Sequence, residues 1–407
     1  MPLSTDTIRS QFPSLSRLHE HKPLIYLDGP GGTQVPNSVL DAMTGYYVNS
    51  NTNTHGVFVT AMETDAMIHD VREHVATLLG AEGPENISLG QNMTTLNFAL
   101  ARGISKILQP GDEVVISQLD HEGNRGPWLT LREKGIIVRE IGLLPDGTLD
   151  EGDFERKINE KTRLVAIGMA SNAIGTVNNV ALARKISHKY GAWLLLDAVH
   201  YAPHFALDVQ DLDCDFLLCS AYKFYGPHIG ILYSRTGLLD QVPTDRLRTT
   251  EQMAPFKIET GTLNHAALAG VSAAIRFIAS LGEGETLREK ILDAYKQIGA
   301  HENLLARRLY EGLSSLPGIR IIGQGFSSGL RAPTISFVMN GKSAIDVCRF
   351  LANKNICAWD GHFYALRAME ILDLAKTGGV TRMGFSVYNT MEEVEKTIAE
   401  VAILAKQ

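Results

Sequence analysis

An α/β fold organised around a mainly parallel sheet is predicted by three features of the sequence. Strand-like and helical stretches alternate through the first two thirds of the chain, the pattern of a parallel sheet with helices on both faces. The strand candidates are short continuous apolar runs rather than alternating ones, as expected for strands covered on both sides. With 407 residues, 44% of them hydrophobic and 20% charged, the chain has room for one large α/β unit and a smaller second one.

Residues 1–24 read as a short helix and a polar lead-in. Pro23-Leu24-Ile25-Tyr26-Leu27-Asp28 is a brief extended segment that enters the loop Gly29-Pro30-Gly31-Gly32. That loop lacks the Lys-Ser/Thr of a P-loop and the spacing of a dinucleotide fingerprint, which leaves a tight turn or a close backbone approach to a ligand. Met67, Ile68, Val71, Val75, Leu78 and Leu79 recur at helical spacing, and Gly80 stands where a C-cap belongs. Seven strand candidates follow at 87–89, 113–117, 136–140, 164–169, 193–196, 216–219 and 229–233. Helical stretches such as 94–108 and 181–190 separate the first five. A large domain is therefore expected over 25–265. Beyond it a long helical region runs from Ala266 to about Leu316, then strands at 318–322 and 334–338, a helix at 344–354 and a terminal helix at 391–405. These form a smaller C-terminal α/β domain over 266–407, with residues 1–24 joined to it.

Composition removes several function classes. The net charge is −7 and no dense Lys/Arg cluster interrupts it, so no nucleic-acid partner is expected. No apolar run approaches the length that crosses a bilayer, and the N-terminus lacks the basic-then-apolar pattern of a signal peptide. Cys214, Cys219, Cys348 and Cys357 form no Cys-x-x-Cys, so neither a zinc knuckle nor a disulfide framework is indicated, and a reducing cytoplasm is the expected compartment.

Ligands of such sheets lie at the carboxyl ends of the strands, and there the chemically useful residues collect. After 87–89 comes Gln91-Asn92-Met93-Thr94, a turn opening into a helix; its start can hold an anion or carry an ordinary Asn cap. After 113–117 comes His121, readable as a base, a metal ligand or a stacking ring. After 164–169 comes Asn172, able to donate to a substrate. Asp197 ends a wholly apolar strand, where a carboxylate is costly unless it meets a cation. His200 and His204 stand four apart, a spacing open to metal, but Pro203 between them disfavours a regular helix. The strand 216–219 runs into Ser220-Ala221-Tyr222-Lys223-Phe224-Tyr225-Gly226-Pro227. A lysine set in such apolar bulk is either a strand-end side chain with its stem on aromatics or an amine whose cationic form is disfavoured, ready to attack a carbonyl. Together, an imine-forming lysine, an acid one crossover earlier and a phosphate-binding helix start make the pattern of a pyridoxal phosphate (PLP) site.

With these residues the chain resembles the class V aminotransferase group of fold-type I PLP enzymes, most closely the cysteine desulfurases. The similarity runs from Tyr26-Leu27-Asp28 to Arg382-Met383-Gly384-Phe385-Ser386-Val387-Tyr388-Asn389-Thr390. It implies the aspartate-aminotransferase-like fold, with a seven-stranded, mostly parallel sheet in the large domain. It also implies roles. Lys223 would hold PLP as a Schiff base and move the Cα proton, Asp197 would pair with the ring nitrogen, and His121 would stack on the ring. His200 would approach the ring hydroxyl oxygen, while Asn92, Met93, Ser220 and Tyr222 would bind the phosphate. Glu259-Thr260-Gly261-Thr262-Leu263-Asn264 resembles the segment whose threonine reaches the phosphate of a neighbouring subunit, so Thr262 implies a homodimer with shared sites. Arg382 would grip the substrate carboxylate, with Asn172 and His55 at the substrate end.

One stretch departs from the family. In Trp359-Asp360-Gly361-His362-Phe363-Tyr364-Ala365, Tyr364 stands where desulfurases of this subgroup carry a nucleophilic cysteine, and Trp359 replaces an arginine. A phenol cannot take up sulfur as a persulfide, and Cys357 reads as a small apolar residue. The expectation is therefore a PLP-dependent enzyme that deprotonates Cα of an amino acid held as an external aldimine and expels a β-substituent, with Tyr364 as an acid for the leaving group. Transamination and epimerisation use the same carbanion and stand as alternatives. A desulfurase using another thiol, or a PLP-binding partner protein without turnover, stands behind them.

Overall fold

The seven expected strands come together in one sheet. In this computed structural model, which describes residues 4–327 and 329–407, the sheet order is Ile87–Gly90, Gly230–Ser234, Phe216–Ser220, Trp193–Asp197, Thr162–Gly168, Glu113–Ser117 and Ile137–Ile141. Gly230–Ser234 is antiparallel to both its neighbours; the other strand pairs are parallel. The strand expected from Ile136 starts at Ile137, because Gly135 turns the chain at φ 76° and Ile137 falls opposite Glu113.

Alternate strand residues feed two separate apolar layers. Val115, Val165, Leu196, Leu217 and Ile231 face one; Val114, Leu164, Leu195, Phe216, Leu218 and Leu232 face the other. A sheet buried on both sides accepts apolar residues at every position, which is why the strands carry no alternation. The helix Val59–Leu79 ends at Gly80 in the left-handed region, φ 68°. It starts earlier than its apolar spacing indicates, because its first turn presents Val59 and Met62 to solvent.

A second, antiparallel sheet has the order Ile319–Ile322, Thr334–Met339, Val380–Gly384, Trp359–Gly361. Its last two strands are not among those expected, and one of them carries Arg382. The single helical region expected over 266–316 is two helices, His265–Ala279 and Leu287–Ser314. At the break a Cβ on Gly282 would lie 2.1 Å from the Lys290 carbonyl oxygen, and Thr286 with Glu289 forms a capping box that starts the second helix. The N-terminal stretch, whose first three residues lie outside the described ones, places Phe12 against Tyr225, Phe277 and Tyr388. Ile25–Tyr26 pairs in parallel with Ile356–Cys357, and Asp28 bridges to Gly384. The glycine loop at 29–32 thus sits at the seam between the two sheets. No helix among the described residues is long and apolar enough to cross a membrane.

Candidate active site

The carboxyl ends of the large sheet enclose a pocket of ≈ 630 Å³ including its mouth, lined by Asn92, Met93, His121, Asn172, Asp197, His200, Ser220, Tyr222 and Lys223 among others. Each arrives from the end of a strand. Asp197 and Ser220 are the last residues of theirs, and a 3-10 turn over Ala221–Lys223 brings the lysine back over the sheet edge.

At one end of the pocket the helix Met93–Ile104 begins. Asn92 caps it by accepting the Thr95 N–H at 2.9 Å, and the Met93 N–H points to Ser220 Oγ at 3.1 Å. The loop before this helix packs directly on Gly230, where a Cβ would lie 2.2 Å from the Asn92 carbonyl carbon. Only glycine lets the helix start come so close to the strand that carries Ser220's neighbour. Tyr222 closes this end, stacked on His228 with ring centroids 4.6 Å apart.

Lys223 is buried, and its Nζ donates to the carbonyls of Pro30 and Gly31. Burial pulls this amine down to about 7; Arg382 adds to the effect, and Asp197 and Asp28 oppose it. Burial pushes the Asp197 carboxyl the other way, up to about 7, with Asp120 adding to it; the Val199 N–H and Lys223 pull against the rise. Asp197 Oδ1 accepts the Val199 N–H at 2.9 Å, and the carboxylate has no ion pair among the described residues. His121 caps the helix Glu122–Leu129, its Nδ1 accepting the Gly123 N–H at 2.8 Å. Burial, helped by Lys223 and Arg382, lowers its imidazole to about 4, so the ring is neutral at ordinary pH and suited to stacking.

His200 and His204 do not share a ligand direction. His200 Nε2 meets Thr334 Oγ1 at 2.9 Å and His204 Nδ1 meets Glu302 Oε2 at 2.8 Å, with the ring centroids 5.2 Å apart. His200 Nδ1 is buried without a partner.

The roof comes from the second sheet. Arg382 is buried, stands 3.9 Å from the Phe363 ring centroid and donates from Nη1 to the Asn172 carbonyl at 3.0 Å. Its Nε has no partner, and burial lowers the guanidinium to about 9 against the pull of Asp28 and Tyr222. The Asn172 amide, expected to be open to a substrate, instead donates from Nδ2 to the Phe363 carbonyl at 2.8 Å. The Glu122 N–H holds the Tyr364 carbonyl at 2.6 Å, and the Tyr364 ring lies 5.4 Å from that of His121 at a 33° tilt. His55 and Thr262 do not line the pocket; both are exposed. The segment carrying Thr262 is nevertheless fixed, because Glu259 forms a buried bidentate pair with Arg72 at 2.8 Å and accepts the Leu89 N–H.

Asp28 and Thr334 escaped the sequence reading, and Phe363, expected only as part of an aromatic wall with Trp359 and Tyr364, also carries the Arg382 and Asn172 contacts. Asp28 has one carboxylate oxygen buried without a partner and a hydrogen bond from Trp359, and it lies within electrostatic reach of Arg382 and Lys223. It ends an apolar run just as Asp197 does, which was the available signal. Thr334 had no such signal, since its contact with His200 exists only across the seam.

The unmatched groups of the pocket fit PLP. A buried carboxylate lacking a cation suits a protonated ring nitrogen, and a desolvated amine suits an aldehyde. A helix start beside two hydroxyl side chains suits a phosphate.

The family model for Aminotransferase class-V matches residues 25–397. A curated protein of Mycolicibacterium paratuberculosis named as a probable cysteine desulfurase is 32% identical over 415 residues; the match covers 98% of this chain and 58% of that longer protein. A cysteine desulfurase of Salmonella agona is 32% identical over 98% of both chains. Among solved structures, the apo cysteine desulfurase of Thermococcus onnurineus superposes with a TM-score of 0.89 at 29% identity, covering 100% of this chain and 99% of the other. A cysteine desulfurase of Escherichia coli gives 0.86 at 28% identity, covering 99% of each.

Proposed function

We propose a β-eliminating lyase acting on cysteine-like amino acids as the function of this chain, which belongs to the Aminotransferase class-V family and is a PLP-dependent enzyme of cysteine-desulfurase-like build. Bound in the pocket, PLP supplies an electron sink for charge developing at the substrate Cα. Lys223 would hold the cofactor through Nζ and would take the Cα proton; a buried amine drawn down to about 7 is basic enough to accept it and neutral enough to be free. Asp197 holds a proton at the ring nitrogen. His121 would cover the ring face, and His200, whose Nδ1 is buried without a partner, would donate to the ring oxygen. The Met93 N–H, Asn92, Ser220 and Tyr222 would hold the phosphate. Arg382, already oriented by Asn172 and Phe363, grips the substrate carboxylate through a planar fork. Tyr364, at the rim, offers a phenolic proton to the departing group.

The observation that carries elimination is the placement of the thiols. Cys214, Cys219 and Cys348 are buried, and no cysteine among the described residues lines the pocket. Cys357 lies alongside Tyr26, with burial and then Asp28 raising its thiol to about 11. Without an acceptor thiol, cleavage of the C–S bond of cysteine ends in free sulfide. The remaining carbon skeleton takes up one water and leaves as pyruvate and ammonia.

We assign Thr262 to a site shared by two copies of the chain and His55 to its substrate end. Both stand on exposed segments, and beside His55 the apolar Val57 is 96% exposed, with Phe58, Val59 and Met62 also uncovered. A homodimer would cover this face. The four free cysteines agree with a reducing cytoplasm.

The test is product analysis after incubating the purified holoenzyme with L-cysteine. Pyruvate with free sulfide is the expected result. Alanine with an enzyme-bound persulfide would overturn the assignment of the loop. Cysteine left unchanged, with other amino acids transaminated or epimerised, would move the activity to those reactions.

A further inference from the structure

We propose that Thr334, on the second sheet, is a positioning residue that fixes the tautomer of His200 so that its Nδ1–H faces the pocket as a donor to a ligand oxyanion. The inference rests on the PLP reading above and adds a residue from outside the pocket lining.

The argument starts from what each buried polar atom can bond. Thr334 is fully buried at the start of the strand Thr334–Met339, and its Oγ1 meets His200 Nε2 at 2.9 Å. A buried hydroxyl proton needs an acceptor. The ring nitrogen of His200 supplies one only if it carries no proton. The proton of the neutral ring then resides on Nδ1, the buried, unpartnered atom of a residue that lines the pocket. The opposite tautomer would leave two buried groups unmatched, the threonine O–H and an Nδ1 lone pair. The chosen one leaves a single N–H, which a bound oxyanion completes.

A doubly protonated ring is disfavoured by everything around it. Burial comes first, followed by His204 in the same turn, Lys223 after the strand Phe216–Ser220 and Arg382 on the second sheet; the imidazole is held well below its ordinary value. The acidic groups nearby are otherwise engaged. Glu302 is bonded to His204, and Asp197 accepts the Val199 N–H. His200 is therefore a neutral, one-directional donor. Its direction is set from the other sheet.

A donor at the ring oxygen of PLP stabilises the oxygen's negative charge and favours the form of the lysine-bound chromophore that has lost its shared proton. The pH midpoint of the visible absorption band of the holoenzyme reads this directly. Thr334→Val keeps the shape and removes the hydroxyl; its midpoint is expected to rise by about one pH unit, the worth of one hydrogen bond to a charged group. Thr334→Ser retains the hydroxyl and is expected to stay at the wild-type midpoint. In a His200→Ala background, Thr334→Val should shift the midpoint no further. An unchanged midpoint in Thr334→Val, or an equal shift in Thr334→Ser, overturns the inference while PLP binding stands. A wild-type protein that takes up no PLP and shows no visible band overturns the cofactor reading itself, and this inference with it.

Discussion

Lys223 and Asp197 stand on strand ends backed by two apolar layers, whereas Phe363 and Tyr364 stand on a short connection that is left-handed at both residues, φ 53° and 58°. The first pair forms the floor of the pocket and the second its roof. A non-glycine residue in that region costs about 1–2 kcal/mol, so the roof persists through its contacts: Asn172 on the Phe363 carbonyl, Glu122 on the Tyr364 carbonyl, Arg382 on the Phe363 ring. The floor is placed by the fold, and the roof is placed by the floor. Changes in the floor should strike the chemical step, and changes in the roof should strike the fit of the substrate, except at Tyr364, whose proposed proton donation belongs to the chemical step.

The largest effect is expected at Lys223. Lys223→Ala should lower turnover by about 10²–10⁴-fold and abolish the covalent cofactor band, measured by steady-state kinetics and absorbance; retained turnover would erase the distinction between floor and roof. Arg382→Lys keeps the charge but loses the fork. KM should rise by about tenfold or more with kcat less affected, and a fall confined to kcat would place Arg382 with the floor. Loading of the apo-protein with PLP should depend on pH through the Lys223 amine. Its pKa is lowered to about 7, so the neutral form dominates above that pH and falls about tenfold per unit below it. A stopped-flow loading rate that keeps climbing towards pH 10 would show an ordinary lysine. The smallest effect separates two uses of Tyr364. Tyr364→Ala removes the ring beside His121 and should cost about 2- to 10-fold in turnover, the worth of an aromatic contact. Tyr364→Phe should be near wild type if the ring is what counts, and reduced as far as Tyr364→Ala if the phenolic proton is.

The same contrast explains what could be read from the sequence. All seven floor strands were legible within about two residues at their ends, because apolar runs bounded by polar residues are a local signal; Glu113–Ser117 was placed without shift. Asp197 and Lys223 were legible for the same reason, since charge at the end of an apolar strand stands out. The roof was not. Trp359–Gly361 is a strand only because it pairs with Val380–Gly384, and nothing local in Trp-Asp-Gly announces it. Asn172 seemed free for a substrate because its partner, a backbone carbonyl of residue 363, lies far along the chain on the connection after Trp359–Gly361. The helix break at 280–286 was legible in principle, through Gly282, Gly284 and the Thr286/Glu289 box, but the apolar spacing on either side masked it. His55 and Thr262 stand exposed outside the pocket lining, and the roles proposed for them rest on the family resemblance.

The antiparallel insertion of Gly230–Ser234 between Ile87–Gly90 and Phe216–Ser220 also governs how the molecule is made. Ile87–Gly90 comes first of these strands from the ribosome, yet the sheet partner recorded for it is the last of the seven to emerge. Pairings so distant along the chain are slow to form. The helix start at Asn92 and the lysine turn at 221–223 therefore become neighbours only when this final strand docks. A chain cut short before residue 230 would hold Asp197, Ser220 and Lys223 but not the strand that joins Ile87–Gly90 to the rest of the sheet, and it is expected to capture no PLP.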